Sequence, residues 1–283
     1  MTVAIACTVP DGVILGVDSA VTIGDASNPL KVYEDAEKIF QLGSLPVGVA
    51  IYGLASFGVR TIGSLLREFE LKNPSGVLGK NKRHIKEIVE QMRLFFYSEY
   101  TKMVVPLVEA EKKKPFAEIP DNERPGLGLV IAGFSQGTFL PEVWNIVIPT
   151  NAAENSGVLT IPSGNLGSAW FASCVPIIRY IKGFDPGLLD AVVTKCEEIH
   201  GAPFSADQKK AVTDTAGKSE YQIIFNAMPV ERGIEYVKFL VQLVISHHRF
   251  ATGAPIVGGR PRVGLVTYKS EEFRIIGGDE YAA

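Results

Sequence analysis

Residues 2–9 and 13–17 are apolar and rich in β-branched side chains, with Pro10-Asp11-Gly12 between them. Proline fixes φ, aspartate bonds its local backbone and glycine accepts positive φ, so the stretch predicts a hairpin. The absence of apolar–polar alternation predicts strands covered on both faces. Residues 38–42 and 47–52 repeat the pattern across Gly43-Ser44-Leu45-Pro46. After Gly53 the period changes. Residues 54–69 and 84–100 predict helices; in the second, Ile85, Ile88, Val89, Met92, Phe95 and Phe96 form one apolar stripe. Pro106 predicts an end or a kink just beyond it.

Residues 109–125 are charged and proline-rich and predict a solvated connection. Short apolar runs at 127–134, 142–149 and 158–161 predict strands, and 168–181 and 186–199 predict helices. Residues 201–219 read as polar and irregular. Pro229 opens a helical pattern through Ile234, Val237, Leu240, Val241, Val244 and Ile245, and strands follow at 262–268 and 273–276. No internal repeat is visible and no linker divides the chain. The order predicts an α+β fold in which helices lie outside two layers of mainly antiparallel strand.

At 283 residues and 46% hydrophobic content the chain can bury a large core, and its formal charge of -3 lacks the basic surplus of a nucleic-acid binder. Cys7, Cys174 and Cys196 have no metal or disulfide spacing and sit among apolar residues, which predicts buried thiols in a reducing compartment. No basic run precedes the first apolar residues, Asp11 interrupts them, and no apolar run is long enough to span a bilayer. A cytoplasmic protein that does not enter membranes is expected. His247-His248 are adjacent, point apart on a helix and have no third ligand nearby, so they are expected to be helix-end residues. Gly253, Gly258 and Gly259 have no following Walker lysine and predict a tight junction. Trp144 and Trp170 are expected in a core or interface.

The candidate chemistry lies at the start. Threonine becomes a strong catalytic centre when it is the first residue, because its hydroxyl and its own amine then form nucleophile and base. Met1 precedes the small Thr2, so an aminopeptidase could expose that pair. Three segments then stand in register: Thr2-Val3-Ala4-Ile5-Ala6, Asp11-Gly12-Val13-Ile14-Leu15-Gly16-Val17-Asp18-Ser19 and Glu37-Lys38-Ile39-Phe40. Together they resemble the proteasome family of N-terminal-threonine hydrolases, in its bacterial proteasome-like branch. Tyr52-Gly53-Leu54-Ala55-Ser56 is similar to that family's strand-to-helix turn, and Val257-Gly258-Gly259-Arg260-Pro261 to its C-terminal part. Lys38 falls a few residues later than usual because the loop 23–34 is longer.

The resemblance implies a four-layer αββα sandwich (the N-terminal-nucleophile hydrolase fold) as one domain over 1–283, with insertions around 73–125 and 201–230. It implies a self-compartmentalising threonine peptidase acting on peptides or unfolded proteins, assembled as homo-oligomeric rings, with an ATP-dependent unfoldase as a possible partner. Thr2 would be nucleophile and amine base, Lys38 would stabilise the alkoxide, Asp18 would orient Lys38, and the Gly53 amide would bind the oxyanion. No metal or organic cofactor is required. The family's serine in a "GSG" turn corresponds to Ser163 or Ser168. Its Asp and Ser near the last helix–strand junction correspond to Ala254 and Val257, and its arginine after "DS" to Ala20. Those differences motivate two alternatives: a catalytically silent ring protein of the same fold, or an amidase acting on small amides.

Overall fold

The computed structural model describes residues 2–25, 28–73, 84–149, 157–252, 256–268 and 273–276. Met1, Gly253 and Ala254 lie outside them, as do residues 74–83 of the first expected insertion. In chain order the strands are β1 (Val3–Val9), β2 (Gly12–Val17), β3 (Val21–Asp25), β4 (Asn28–Tyr33), β5 (Ile39–Gln41), β6 (Val47–Gly53), β7 (Ser56–Phe57) and β8 (Arg60–Thr61). Helices α1 (Ile62–Lys72), α2 (Ile85–Met103) and α3 (Val105–Lys112) follow, then β9 (Leu127–Gly133), β10 (Glu142–Ile148), β11 (Val158–Ile161) and β12 (Gly167–Ala172). The chain continues with α4 (Val175–Lys182), α5 (Pro186–His200), α6 (Ala206–Gly217), α7 (Val230–Phe250), β13 (Arg262–Thr267) and β14 (Phe273–Ile276).

The fold is mixed α+β with antiparallel sheets. One runs β12-β1-β2-β13-β14, a second runs β11-β10-β9-β6-β5, and β3-β4 and β7-β8 are separate hairpins. Strand β1 shows why its sequence lacks polar alternation. Val3, Ile5, Cys7 and Val9 pack with Val237, Leu240, Val241 and Val244 of α7, while Ala4 and Ala6 pack with Ala50, Val130 and Ala132 of the other sheet. Opposite side-chain directions at successive residues send alternate positions to two different apolar clusters. A third cluster joins Leu65 and Phe69 of α1 and Ile88, Met92 and Phe96 of α2 to Val49, Leu129 and Ile146. Each large side chain so buried contributes about 1.5–3 kcal/mol of transfer free energy. Gly16 lets α7 approach β2 closely, since a Cβ there would overlap Val237.

Several expectations change. The helix expected from residue 54 starts at Ile62, because the Gly58 turn (φ +57°) forms the β7–β8 hairpin first and Thr61 accepts the Ser64 N–H as N-cap. Residues 168–172, expected as the start of a helix, belong to β12 paired with β1; the helix begins only at Val175, with Pro176 in its first turn. Residues 206–217, expected as irregular, are α6, held by a capping box in which Ser205 and Gln208 bond each other's backbone N–H. The connection after α2 is partly packed: α3 extends to Lys112, Ile119 is buried and Tyr100 donates to the Pro125 carbonyl at 2.7 Å. The longer loop before Lys38 is largely the β3–β4 hairpin. Of the cysteines, Cys7 is buried and its thiol is pushed up to about 12 by burial, Cys174 is half-buried, and Cys196 is exposed on α5, which buries no residue. No helix among the described residues is long and apolar enough to cross a membrane.

Candidate active site

The β1–β2 register sets Ala4 opposite Val17, so Asp18, just after β2, comes opposite Val3, the first residue of β1 and the neighbour of Thr2. Asp18 accordingly accepts the Val3 N–H on Oδ1 at 3.2 Å. The second sheet delivers the third group. Lys38 precedes β5 and is anchored there by the Ile51 N–H, which donates to its carbonyl at 2.9 Å. Its Nζ donates to Thr2 Oγ1 at 2.9 Å and to Asp18 Oδ1 at 3.0 Å. All three side chains are buried, with Thr2 3%, Asp18 0% and Lys38 3% exposed.

Buried charges require partners, and the pair is well supplied. Besides Val3 and Lys38, Asp18 accepts on Oδ2 from the backbone N–H of Ala20 at 3.2 Å and of Gly258 at 3.2 Å. Burial pushes the Lys38 ammonium below the usual lysine range, and the charge and hydrogen bond of Asp18 oppose that shift without cancelling it. A cation on Nζ would stabilise negative charge developing on Thr2 Oγ.

Ser19 ties the surroundings together. Its N–H donates to the Gly258 carbonyl at 3.2 Å, its carbonyl accepts the Ala36 N–H at 2.8 Å, and its Oγ accepts the Arg260 N–H at 2.8 Å and donates to the Glu34 carbonyl. The C-terminal junction is thereby fastened to the segment that leads into Lys38. Gly259 lies inside this clamp at φ +72°, where a Cβ would overlap Ser19 Oγ and the Glu34 carbonyl oxygen. Of the glycines read from sequence as a tight junction, Gly258 and Gly259 are a backbone support for Asp18 and Ser19, and Gly253 lies outside the described residues.

Gly53 ends β6 at φ +82° and lines the same cavity as Thr2. A Cβ at Gly53 would overlap the Gly126 carbonyl oxygen, so the turn admits no side chain. The cavity has a volume of about 690 Å³, and its wall includes Ala20, Val21, Phe40, Ile51, Leu54 and Thr61.

The two candidate serines are not at this site. Ser163 Oγ donates to the Leu140 carbonyl at 3.0 Å, and Ser168 Oγ pairs with the Tyr236 hydroxyl at 3.1 Å, opposite Cys7 in the β1–β12 register. Ser173 meets Thr2 through its backbone, its N–H donating to the Thr2 carbonyl at 3.0 Å. Its signal in the sequence is its place at the end of β12, one residue after Ala172, the partner of Val3. Val257 is fully buried in the α7 cluster, and Ala254 lies outside the described residues. His247 and His248 occupy the last turn of α7, and burial lowers the His248 pKa, with His247 adding to the effect. No cluster of three metal-ligating side chains occurs among the described residues. Trp144 is buried in the core, and Trp170 packs against the α7 cluster.

Searches against protein-family models and against curated proteins find no match to the chain.

Proposed function

We propose that this chain is a hydrolase that cleaves peptide bonds through Thr2 after removal of Met1, within a four-layer αββα arrangement of its two sheets and helices. The observation that carries the reading is the buried contact of Lys38 Nζ with both Thr2 Oγ1 and Asp18 Oδ1. An isolated lysine is an ordinary strand-end residue; a buried one held between a carboxylate and the second residue's hydroxyl is an activating arrangement.

The free α-amine of Thr2, with a reference pKa of about 7.7–8.0, takes the Oγ proton. The oxygen bonds to the substrate carbonyl carbon, and the oxyanion is met by the Gly53 amide. The amine then gives its proton to the leaving nitrogen as the C–N bond breaks. Water attacks the resulting Thr2 ester, passes one proton to the amine and releases the acid with Oγ–H restored. Lys38 stays protonated and lowers the energy of the alkoxide, and Asp18 fixes its position.

Assembly from identical subunits belongs to the same reading. Leu188, Val192 and Ile199 of α5 are exposed, an apolar face that neighbouring subunits would cover. The test of the hydrolase reading is the mass of the native protein with a threonine-directed epoxyketone, alongside Thr2→Ala. The second reading, a silent shell of this fold, is favoured by Val257: a fully buried valine supplies no hydroxyl to position the amine.

A further inference from the structure

We propose that the cavity beside Thr2 is selective for a substrate side chain with an aliphatic stem and a cationic tip, and that Glu37 is the residue that sets this preference. The inference rests on the hydrolase reading for its place in a reaction, but it concerns binding and can be measured separately.

The wall of the cavity is mainly apolar, through Ala20, Val21, Phe40 and Ile51. Two charged side chains line it, Lys38 and Glu37. Lys38 is committed to Asp18 and Thr2. Glu37 is exposed, so it stands at the mouth, and among the described residues it has no ion-pair or hydrogen-bond partner. Lys31 of the β3–β4 hairpin forms no ion pair with it; its Nζ lies 5.8 Å from the centroid of the Tyr33 ring. Lys38 is paired with Asp18, so Glu37 is the lining side chain, among the described residues, whose charge has no partner. One further lining group lacks a partner among the described residues: Thr22 Oγ1 is buried without a hydrogen bond, an orphan that a polar backbone atom of a bound peptide would satisfy.

An acidic substrate side chain would meet like charge here. A purely aliphatic one would fill the wall but leave Glu37 unused. Lysine fits both, with methylenes along the apolar wall and an ammonium at the mouth. A solvent-exposed pair favours its partner by up to about fivefold, and partial exclusion of water by the substrate raises that.

The test compares fluorogenic peptide amides that differ only in the residue before the scissile bond, lysine against norleucine, which keeps the stem and removes the charge. The full-length protein is expected to show a kcat/KM ratio of about five or more for lysine over norleucine. In Glu37→Gln the ratio falls to about one, and in Glu37→Lys it falls below one. A ratio within one preparation cancels any loss of folded protein. A parallel arm measures binding of the same two peptides, fluorescently labelled, to Thr2→Ala by anisotropy, with and without Glu37→Gln. Turnover with no lysine preference, or a preference untouched by Glu37→Gln, overturns the inference and leaves the hydrolase reading standing. Preferential binding without turnover in the native protein upholds the inference and sinks the hydrolase reading. Absence of both binding and turnover overturns both.

Discussion

The backbone N–H of Gly258 donates to Asp18 Oδ2 at 3.2 Å, across 240 positions of sequence. The far end of the chain thus holds the carboxylate that holds Lys38. A backbone donor of this kind has no residue-type signature, so the site depends on a junction whose side chains are unremarkable.

Replacing Lys38 by Met is expected to abolish turnover, lowering kcat by at least about 10³-fold, and to destabilise the fold. Asp18 would keep its backbone donors but lose its countercharge, and breaking a buried pair from one side costs about 3–5 kcal/mol. The double variant Lys38→Met/Asp18→Asn should recover part of that loss. Urea unfolding of the two single variants and the double variant measures the coupling.

The depressed Lys38 pKa has a definite sign in stability. The unfolded lysine titrates at about 10.4. Between the lowered folded value and that one, the unfolded chain binds more protons, so unfolding free energy rises with pH across this window. Below the window the protonated folded lysine bears its full burial cost. The difference in unfolding free energy between the native protein and Lys38→Met should therefore grow in favour of the native protein as pH is raised from neutral to about 10. A difference that shrank would contradict the assigned direction.

Gly259→Ala places a Cβ at φ +72° against Ser19 Oγ and the Glu34 carbonyl. It should cost clearly more than about 1 kcal/mol, because strain and overlap add. It should also lower kcat through displacement of Ser19 and the segment leading to Lys38. Gly43→Ala is the control: φ is +57°, but nothing lies within 4 Å of the added atom. Its cost should be the backbone strain alone, with turnover retained. Thermal unfolding and initial rates on both variants separate the two effects.

Ser163→Ala and Ser168→Ala should leave turnover within about threefold and cost about 1 kcal/mol or less, the worth of one ordinary hydrogen bond. Their hydroxyls serve Leu140 and Tyr236. A large loss of kcat in either variant would show that the serine acts at Thr2 after all.

Much of this arrangement was legible in the sequence. The apolar runs of β1, β2, β6 and β9 and the helical stripes of α2 and α7 announce themselves, because burial against two clusters or one face dictates residue type. Thr2, Asp18 and Lys38 are picked out by resemblance to a family pattern; the β1–β2 hairpin sets the spacing of the first two, whereas Lys38 comes from the other sheet. Strand β12 was not legible. Trp170 and Phe171 favour a strand, but Ser168, Ala169 and Ala172 do not, and the segment is settled by pairing with β1. Helix α6 buries no residue, so it has no apolar stripe, although Ser205 and Gln208 stand at capping-box spacing. Ser173 was missed because its position is set by that same β1–β12 pairing, and no local motif marks it. Gly258 was missed as a ligand of Asp18 because it acts through its backbone.

The central claim is that Thr2 becomes a terminal nucleophile. Intact mass spectrometry of the native full-length protein, before and after a peptide epoxyketone, tests it most directly. The expected result is a chain lacking Met1 that gains one inhibitor per subunit, with no gain in Thr2→Ala. A chain that retains Met1 and takes up no inhibitor would contradict the mechanism, because the amine that must accept the Thr2 proton would not exist.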